Sequence, residues 1–280
     1  MPKYKDQKLN PSTYAIIRWF GFDQLVPEHI VTSHWMSTKV FFMVRFTITL
    51  YSTIVFWIYL AILAKAGKFN GFFAAFTTLN FIGIHAYFVT TSVHHIRYLY
   101  SKNVDFLLNQ FAVLNYMLLY LYSTVVTYNI LTPVIFWSIL VNSNGVAYPV
   151  SIEDPIVMWI NLSVHGISLF MIMIDTVLNR IRIPIRMVLL VFITLVLYVL
   201  LTFIIYASTG TWEYPFLDWS QGPIAALWYF ILFIVCIASF FIVILIQYVR
   251  DWIAHFVHAD KEEKLQDQRP KDERISVNID

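Results

Sequence analysis

Six apolar stretches, each long enough to cross a bilayer, take up most of this chain. A hydrocarbon core about 30 Å thick needs roughly 20 apolar residues in helical form, and every backbone polar group inside it must be bonded internally. The fold class that follows is all-α: a polytopic membrane protein with six transmembrane helices in one bundle. Hydrophobic residues make up 59% of the chain and charged residues 13%, about half the charged share of an ordinary soluble domain. At 280 residues with short connections, one bundle domain accounts for the length. The net charge of +2 is scattered through loops and tails, so no nucleic-acid partner is expected. The single cysteine, Cys236, lies in the last stretch; no intrachain disulfide forms, and the redox compartment stays open.

The spans run from about Val40 to Ala64, Gly71 to Val93, Asp105 to Val141, Pro155 to Leu178, Ile185 to Ser208 and Pro223 to Arg250. The third is too long for one straight crossing. Pro133, which lacks a backbone donor, is expected to kink or end it. Residues 1–38 precede the bundle, 39–250 form it, and 251–280 follow as a tail. The leading segment has no short apolar stretch with a small-residue cleavage site, so the first span is expected to act as an uncleaved anchor. Residues 12–32 mix aromatics, charges and a proline. They suit either a segment lying flat on the membrane surface or an irregular polar lead-in. From Asp260 onward the tail is almost without apolar residues and is expected to be disordered.

Orientation follows from basic residues in the loops. Lys3, Lys5, Lys8, Arg18 and Lys39 precede the bundle, Arg97 and Lys102 sit in the second loop, and Arg180, Arg182 and Arg186 in the fourth. The third and fifth loops have neither lysine nor arginine, and only Lys65 and Lys68 oppose the trend. Both termini are therefore expected in the cytosol. Arg45, one turn inside the first span, is expected to snorkel to the inner interface. No targeting motif chooses between the endoplasmic reticulum and the plasma membrane.

Polar residues inside the spans are where chemistry is to be sought. At about 100° per residue, Asn161, His165, Ser168, Asp175 and Asn179 of the fourth span fall within about 80° of one another. Such a stripe must face other helices or a wet cavity. One reading is that it bonds helices together. The other takes His165 as a base, with Thr77 of the second span at a similar depth as the hydroxyl it would activate. Asp175 lies about 15 Å beyond His165 along the helix, too far to orient it, and Arg180 or Arg182 is its expected partner. Asp218 lies in an outer loop, on the side of the membrane where His165 sits. Asp175, Asp218 and Ser168 are therefore taken as structural. His85 is read as a hydrogen-bonding residue of the bundle, and His94 and His95 as interfacial. Tyr116, Tyr120, Tyr122 and Tyr128 either line a cavity for an amphiphile or pack the core.

Other chemistries lack their motifs. There is no HExxH, no paired CxxC, no GxSxG elbow and no glycine-rich phosphate loop. No cofactor and no metal site is expected. Asp175 is the one acidic residue well within a span, which leaves little for an ion-coupled transporter.

The run SVHGISLFMIMIDTVLNRIRIP and the loop EYPFLDW, with FTTLNF in the second span and TSHWMSTKVFFMVRFTITLYS at the first, resemble the rolling stone-like proteins of the androgen-induced (FAR-17a-like) membrane family. The resemblance covers roughly residues 33–250. It implies a six-helix bundle. The androgen-induced branch hydrolyses fatty acid esters of hydroxy fatty acids with an intramembrane threonine and a histidine. On this chain those positions fall on His165 and, by its place before Leu79-Asn80, on Thr77, with Thr78 as the neighbouring alternative. The rolling stone branch is linked instead to myoblast fusion. Two functions are thus expected to compete. In one, Thr77 attacks a lipid ester, His165 moves the proton, and Asn80 or Asn161 donates to the oxyanion, a contribution of about 3 kcal/mol where such donors have been removed. In the other, the bundle organises membranes or protein partners without catalysis.

Overall fold

The computed structural model describes residues 6–67, 69–140 and 154–267. Among them all regular structure is helical. Three elements precede or begin the bundle: α1 (Ala15–Phe20), α2 (Glu28–Val31) and α3 (Thr38–Lys65), the last started by the Ser37 hydroxyl accepting from the Val40 amide. Then come α4 (Phe76–Ser101), the short α5 (Asp105–Leu108) and α6 (Ala112–Ile135). The fourth rod is built from α7 (Pro155–Leu162), a π-helical turn (Ser163–Ile167) and α8 (Ser168–Leu178), with Asp154 capping α7 and Pro155 at its first position. Two long helices close the chain, α9 (Met187–Thr209) and α10 (Pro223–Asp267).

Five rods are long and apolar enough to cross a membrane: 38–65, 112–138, 155–178, 187–209 and 223–257. The second expected span is different. Its first residues form a 3-10 turn (Phe69–Phe73), and α4 starts at Phe76, runs on to Ser101 and is too polar to count with the other five. The polarity is explained by position. α4 packs against α2, α3, α6 and α8, and buries Thr77, Thr78, Asn80, Thr91, Ser92 and His95 within the bundle.

The excess length of the third span is shed at its start, where α5 breaks from α6, while Pro133 sits inside a continuing helix. A π-helical turn (Phe136–Leu140) follows the proline; the expected end at Val141 lies outside the described residues. α10 continues past Arg250 to Asp267, so that stretch of the expected tail is helical, and residues 268–280 lie outside the described residues.

Residues 6–37 are neither a flat surface helix nor an irregular lead-in. Leu9, Phe22, Leu25, Ile30 and Val31 are buried in the common core. The Trp35 indole N–H donates to the Val177 carbonyl at 2.8 Å, and the Arg180 amide donates to the His29 carbonyl at 3.1 Å. Gly21 ends α1 at φ 79°, and a Cβ there would stand 2.9 Å from Pro184. Gly21→Ala combines a left-handed backbone with that clash. It is expected to cost about 1–3 kcal/mol, read as a lowered unfolding midpoint of the purified protein.

The lower stripe is held differently from the expectation. Arg45 does not reach an interface: its side chain is wholly buried, with Nε 2.8 Å and Nη2 2.7 Å from Asp175 Oδ1. Its Nη1 donates to the Ile30 carbonyl at 2.7 Å, so the N-terminal segment roofs the charge and closes the route to water. Asp175 Oδ2 accepts from Tyr87 at 2.6 Å and from Asn179 at 3.1 Å. The expected partners are engaged elsewhere, Arg180 with Asp6 and Arg182 with Asp251. His95 is buried rather than interfacial, its Nε2 on the Thr38 carbonyl at 2.9 Å. A carbonyl only accepts, so that nitrogen carries the proton and Nδ1 faces Arg45 as an acceptor at 3.5 Å.

Candidate active site

At the end of the bundle away from the N-terminal segment, a small, partly open cavity of about 40 Å³ lies among α4, α6, α9, α10 and the loop after α9. Leu131, Ile135, Leu195, Val199 and Leu232 make its walls apolar. Four hydroxyls break that surface: Thr77, Thr132, Tyr198 and Tyr214.

Thr77 follows Phe76, the first residue of α4. The late start of the helix therefore places it at the top of α4, not about 9 Å down as an earlier helix start would. Ala75 caps α4 with no side-chain hydrogen bond. The loop supplies the missing acceptor: the Phe76 amide donates to the Tyr214 hydroxyl at 3.0 Å. The Thr77 and Tyr198 hydroxyls share the cavity with Tyr214 and influence its phenol, and Tyr198 donates to the Ala74 carbonyl at 2.9 Å. Burial, and then the charge of neighbouring Glu213, push the Tyr214 phenol above its ordinary range, so it remains protonated. Thr78 points elsewhere, with its hydroxyl 3.3 Å from that of Tyr59, and does not line the cavity.

His165 sits on the π-helical turn of the fourth rod. Such a turn adds a residue to the helix and re-aims what it carries. The imidazole is buried at 4% exposure and lies flat on the Phe136 ring, centroids 3.6 Å apart and planes 8° apart. Its buried Nδ1 has no hydrogen-bond partner among the described residues. Phe136 also lines the cavity, whereas His165 does not. Thr77 and Phe136 thus line one cavity, His165 stacks behind on the Phe136 ring, and no hydrogen bond joins Thr77 to His165.

The other expected residues divide. Asn80 donates weakly to Thr132 at 3.5 Å and accepts from Asn129 at 3.4 Å, which ties it to the cavity wall. Asn161 is half-buried and makes no side-chain hydrogen bond among the described residues. Ser168 donates to its own helix at Val164, 2.9 Å away. Asp218 accepts from the Ser220 amide and hydroxyl, both at 2.8 Å, and those bonds hold its pKa below the usual carboxylate value. It braces an exposed turn and does not orient His165. The third-span tyrosines join elements: Tyr120 to Thr194, Tyr128 to the Val191 carbonyl, Tyr122 to Asn179 and Gln247, and Tyr116 against the Phe22 ring. None of the four lines the cavity. No His, Cys, Asp and Glu cluster suited to a metal occurs among the described residues.

Sequence reasoning missed Phe136, Tyr198 and Tyr214. Tyr214 lies in the EYPFLDW loop, whose aromatic density was its one signal. Phe136 carried none, being one phenylalanine in an oily helix.

A family model described as FAR-17a/AIG1-like protein matches residues 38–249, from the start of α3 to within α10. No curated protein and no solved structure shows a match to the chain.

Proposed function

The chain belongs to the FAR-17a/AIG1-like family and is a multi-pass integral membrane protein, and on that footing we propose that it hydrolyses lipid esters with Thr77 as nucleophile and His165 as general base. The observation that carries this reading is the shared phenyl ring: a nucleophilic hydroxyl lines an apolar cavity, and the wall residue Phe136 covers an unpartnered imidazole.

When Phe136 swings off its stack, the imidazole comes within reach of the cavity. Thr77 Oγ1 then bonds to the ester carbonyl carbon while His165 takes the hydroxyl proton. Collapse of the tetrahedral intermediate breaks the bond to the alcohol oxygen, which leaves with the proton from His165. Water, deprotonated by the same imidazole, cleaves the acyl-threonine and restores the hydroxyl. Asn80 is the better placed of the two oxyanion donors, because its amide already reaches the cavity hydroxyl of Thr132. Fatty acid esters of hydroxy fatty acids are the substrate class carried by the family resemblance, and membrane lipids are the partners. In this reading α4 is a sixth crossing, shielded by its neighbours, both termini are cytosolic, and the cavity opens toward the far leaflet of the endoplasmic reticulum or plasma membrane.

The test is hydrolysis of such an ester by protein in lipid nanodiscs. Both halves should appear with wild type and not with Thr77→Ala; equal release by the two would contradict the assignment. A second prediction concerns the ring. An aromatic stack is worth about 0.5–1.5 kcal/mol, so Phe136→Leu should populate the open site up to about tenfold more. Its reaction with a small phosphonate ester should accelerate accordingly, as measured by the rate of adduct formation.

The non-catalytic reading draws on one observation: Asp175 and Asn179 are engaged with other helices in holding the bundle. It requires Thr77→Ala to be silent.

A further inference from the structure

Helices α4 and α6 meet closely at Gly83, where an added Cβ would stand 3.0 Å from Val125 Cγ1. A small residue lets membrane helices approach in this way. One turn nearer the cavity on each helix, Asn80 and Asn129 come within reach of each other. Both are buried, as is Thr132. The amide nitrogen of Asn129 lies 2.7 Å from the Val125 carbonyl. A carbonyl only accepts, and turning the amide over would set two oxygens at that distance. The orientation therefore holds, although it leaves Asn129 Oδ1 without a partner among the described residues. The second hydrogen on Asn129 Nδ2 goes to Asn80 Oδ1 at 3.4 Å. This fixes Asn80 in turn, because its reversed form would set two donor-only amide nitrogens against each other. Asn80 Nδ2 accordingly donates to Thr132 Oγ1 at 3.5 Å.

The ladder ends at the cavity wall, to which Thr132 belongs and Asn80 does not. The Thr132 oxygen already accepts from Asn80, so its one proton is left to donate. That proton meets no acceptor among the described residues. Of the other cavity hydroxyls, Tyr198 donates to the Ala74 carbonyl, Tyr214 accepts from the Phe76 amide, and Thr77 is the nucleophile proposed above. An unspent donor on an apolar wall is costly unless an acceptor meets it, and a carbonyl oxygen is its complement. We propose that Thr132 donates a hydrogen bond to the carbonyl oxygen of an ester lodged in the cavity, with Asn129 and Asn80 as the residues that position it. The assignment rests on the lipid-ester reading and deepens it: the part given there to Asn80 is exerted through Thr132. The bond strengthens as the carbonyl oxygen gains charge during attack by Thr77, and its proton stays on Thr132 throughout.

The experiment uses the full chain in nanodiscs and a long-chain ketone with carbon-13 at its carbonyl, an acceptor that cannot be hydrolysed. Isotope-edited infrared spectroscopy reads the carbonyl stretch, which falls in frequency when the oxygen accepts a hydrogen bond. Beside the band of the ketone in empty nanodiscs, a second, lower band should appear with wild type, Thr77→Ala and Thr132→Ser. It should be absent with Thr132→Val. No lower band in wild type, an equal one in Thr132→Val, or one lost only in Tyr214→Phe would overturn the proposal. Because Thr77→Ala should keep the band, failure of the donor and failure of the nucleophile are told apart. Turnover of an ester gives the second readout. Thr132→Val should lower kcat about a hundredfold at nearly unchanged KM. Asn129→Leu should lower kcat about five- to tenfold on its own and add nothing in the Thr132→Val background, whereas a merely structural loss would add. A fluorophosphonate adduct on Thr132 itself would make it the nucleophile and contradict its role as donor.

Discussion

Arg45→Met leaves the Asp175 carboxylate buried without its cation, and the protein is expected to lose about 3–5 kcal/mol of stability. Both side chains are wholly buried, so solvent offers no substitute. Tyr87 and Asn179 stay bonded to the carboxylate, and two neutral donors do not replace a guanidinium at 2.7 Å. Domains are stable by only about 5–15 kcal/mol, so the folded yield should fall sharply and the unfolding midpoint with it. Replacing both members, Arg45→Met with Asp175→Leu, removes the stranded charge and should recover much of the loss, which a double-mutant cycle measures. Arg182→Ala is the contrast. Its side chain is 72% exposed, and its partner Asp251 keeps Arg250 at 2.7 Å. The change should stay below about 1 kcal/mol.

His165→Gln is expected to act in the opposite way, with loss of activity by about a hundredfold to ten-thousandfold and little loss of fold. Its Nδ1 bonds to nothing among the described residues, so the substitution strands no donor or acceptor. What it does remove is the stack on Phe136, worth about 1 kcal/mol. An unpartnered histidine removed from a bundle should therefore separate turnover from stability, whereas a histidine that only joins helices would lower both together. Ester hydrolysis and the unfolding midpoint, taken on the same preparation, distinguish these outcomes.

The membrane rods were legible because uninterrupted apolar runs have few alternatives. The boundary of α4 was not. The run GFFAAF is apolar enough to read as membrane helix, yet it turns as 3-10 first, and the shift moves Thr77 to the helix start. The polar stripe of the fourth rod was legible from its angular spacing, but its bonding was not. Arg180 and Arg182 are near Asp175 in sequence; Arg45 is 130 residues away, and the roof that hides it comes from a segment that reads as a polar lead-in. Ion pairs inside a bundle depend on which helices are neighbours, and hydropathy does not encode that. Of the candidate site, Thr77 and His165 were singled out by residue type and by family resemblance. Phe136, which separates them, has no polar signature, and a π-helical turn leaves no periodicity to detect.

The most direct test of the Thr77–His165 reading is reaction of the purified protein with a fluorophosphonate probe, with the modified residue located by peptide mass spectrometry. The adduct should sit on Thr77 in wild type and in Thr78→Ala, and be absent from Thr77→Ala and strongly reduced in His165→Gln. A folded wild type whose adduct forms on another residue, such as Ser52, or whose labelling persists unchanged in His165→Gln, would contradict it.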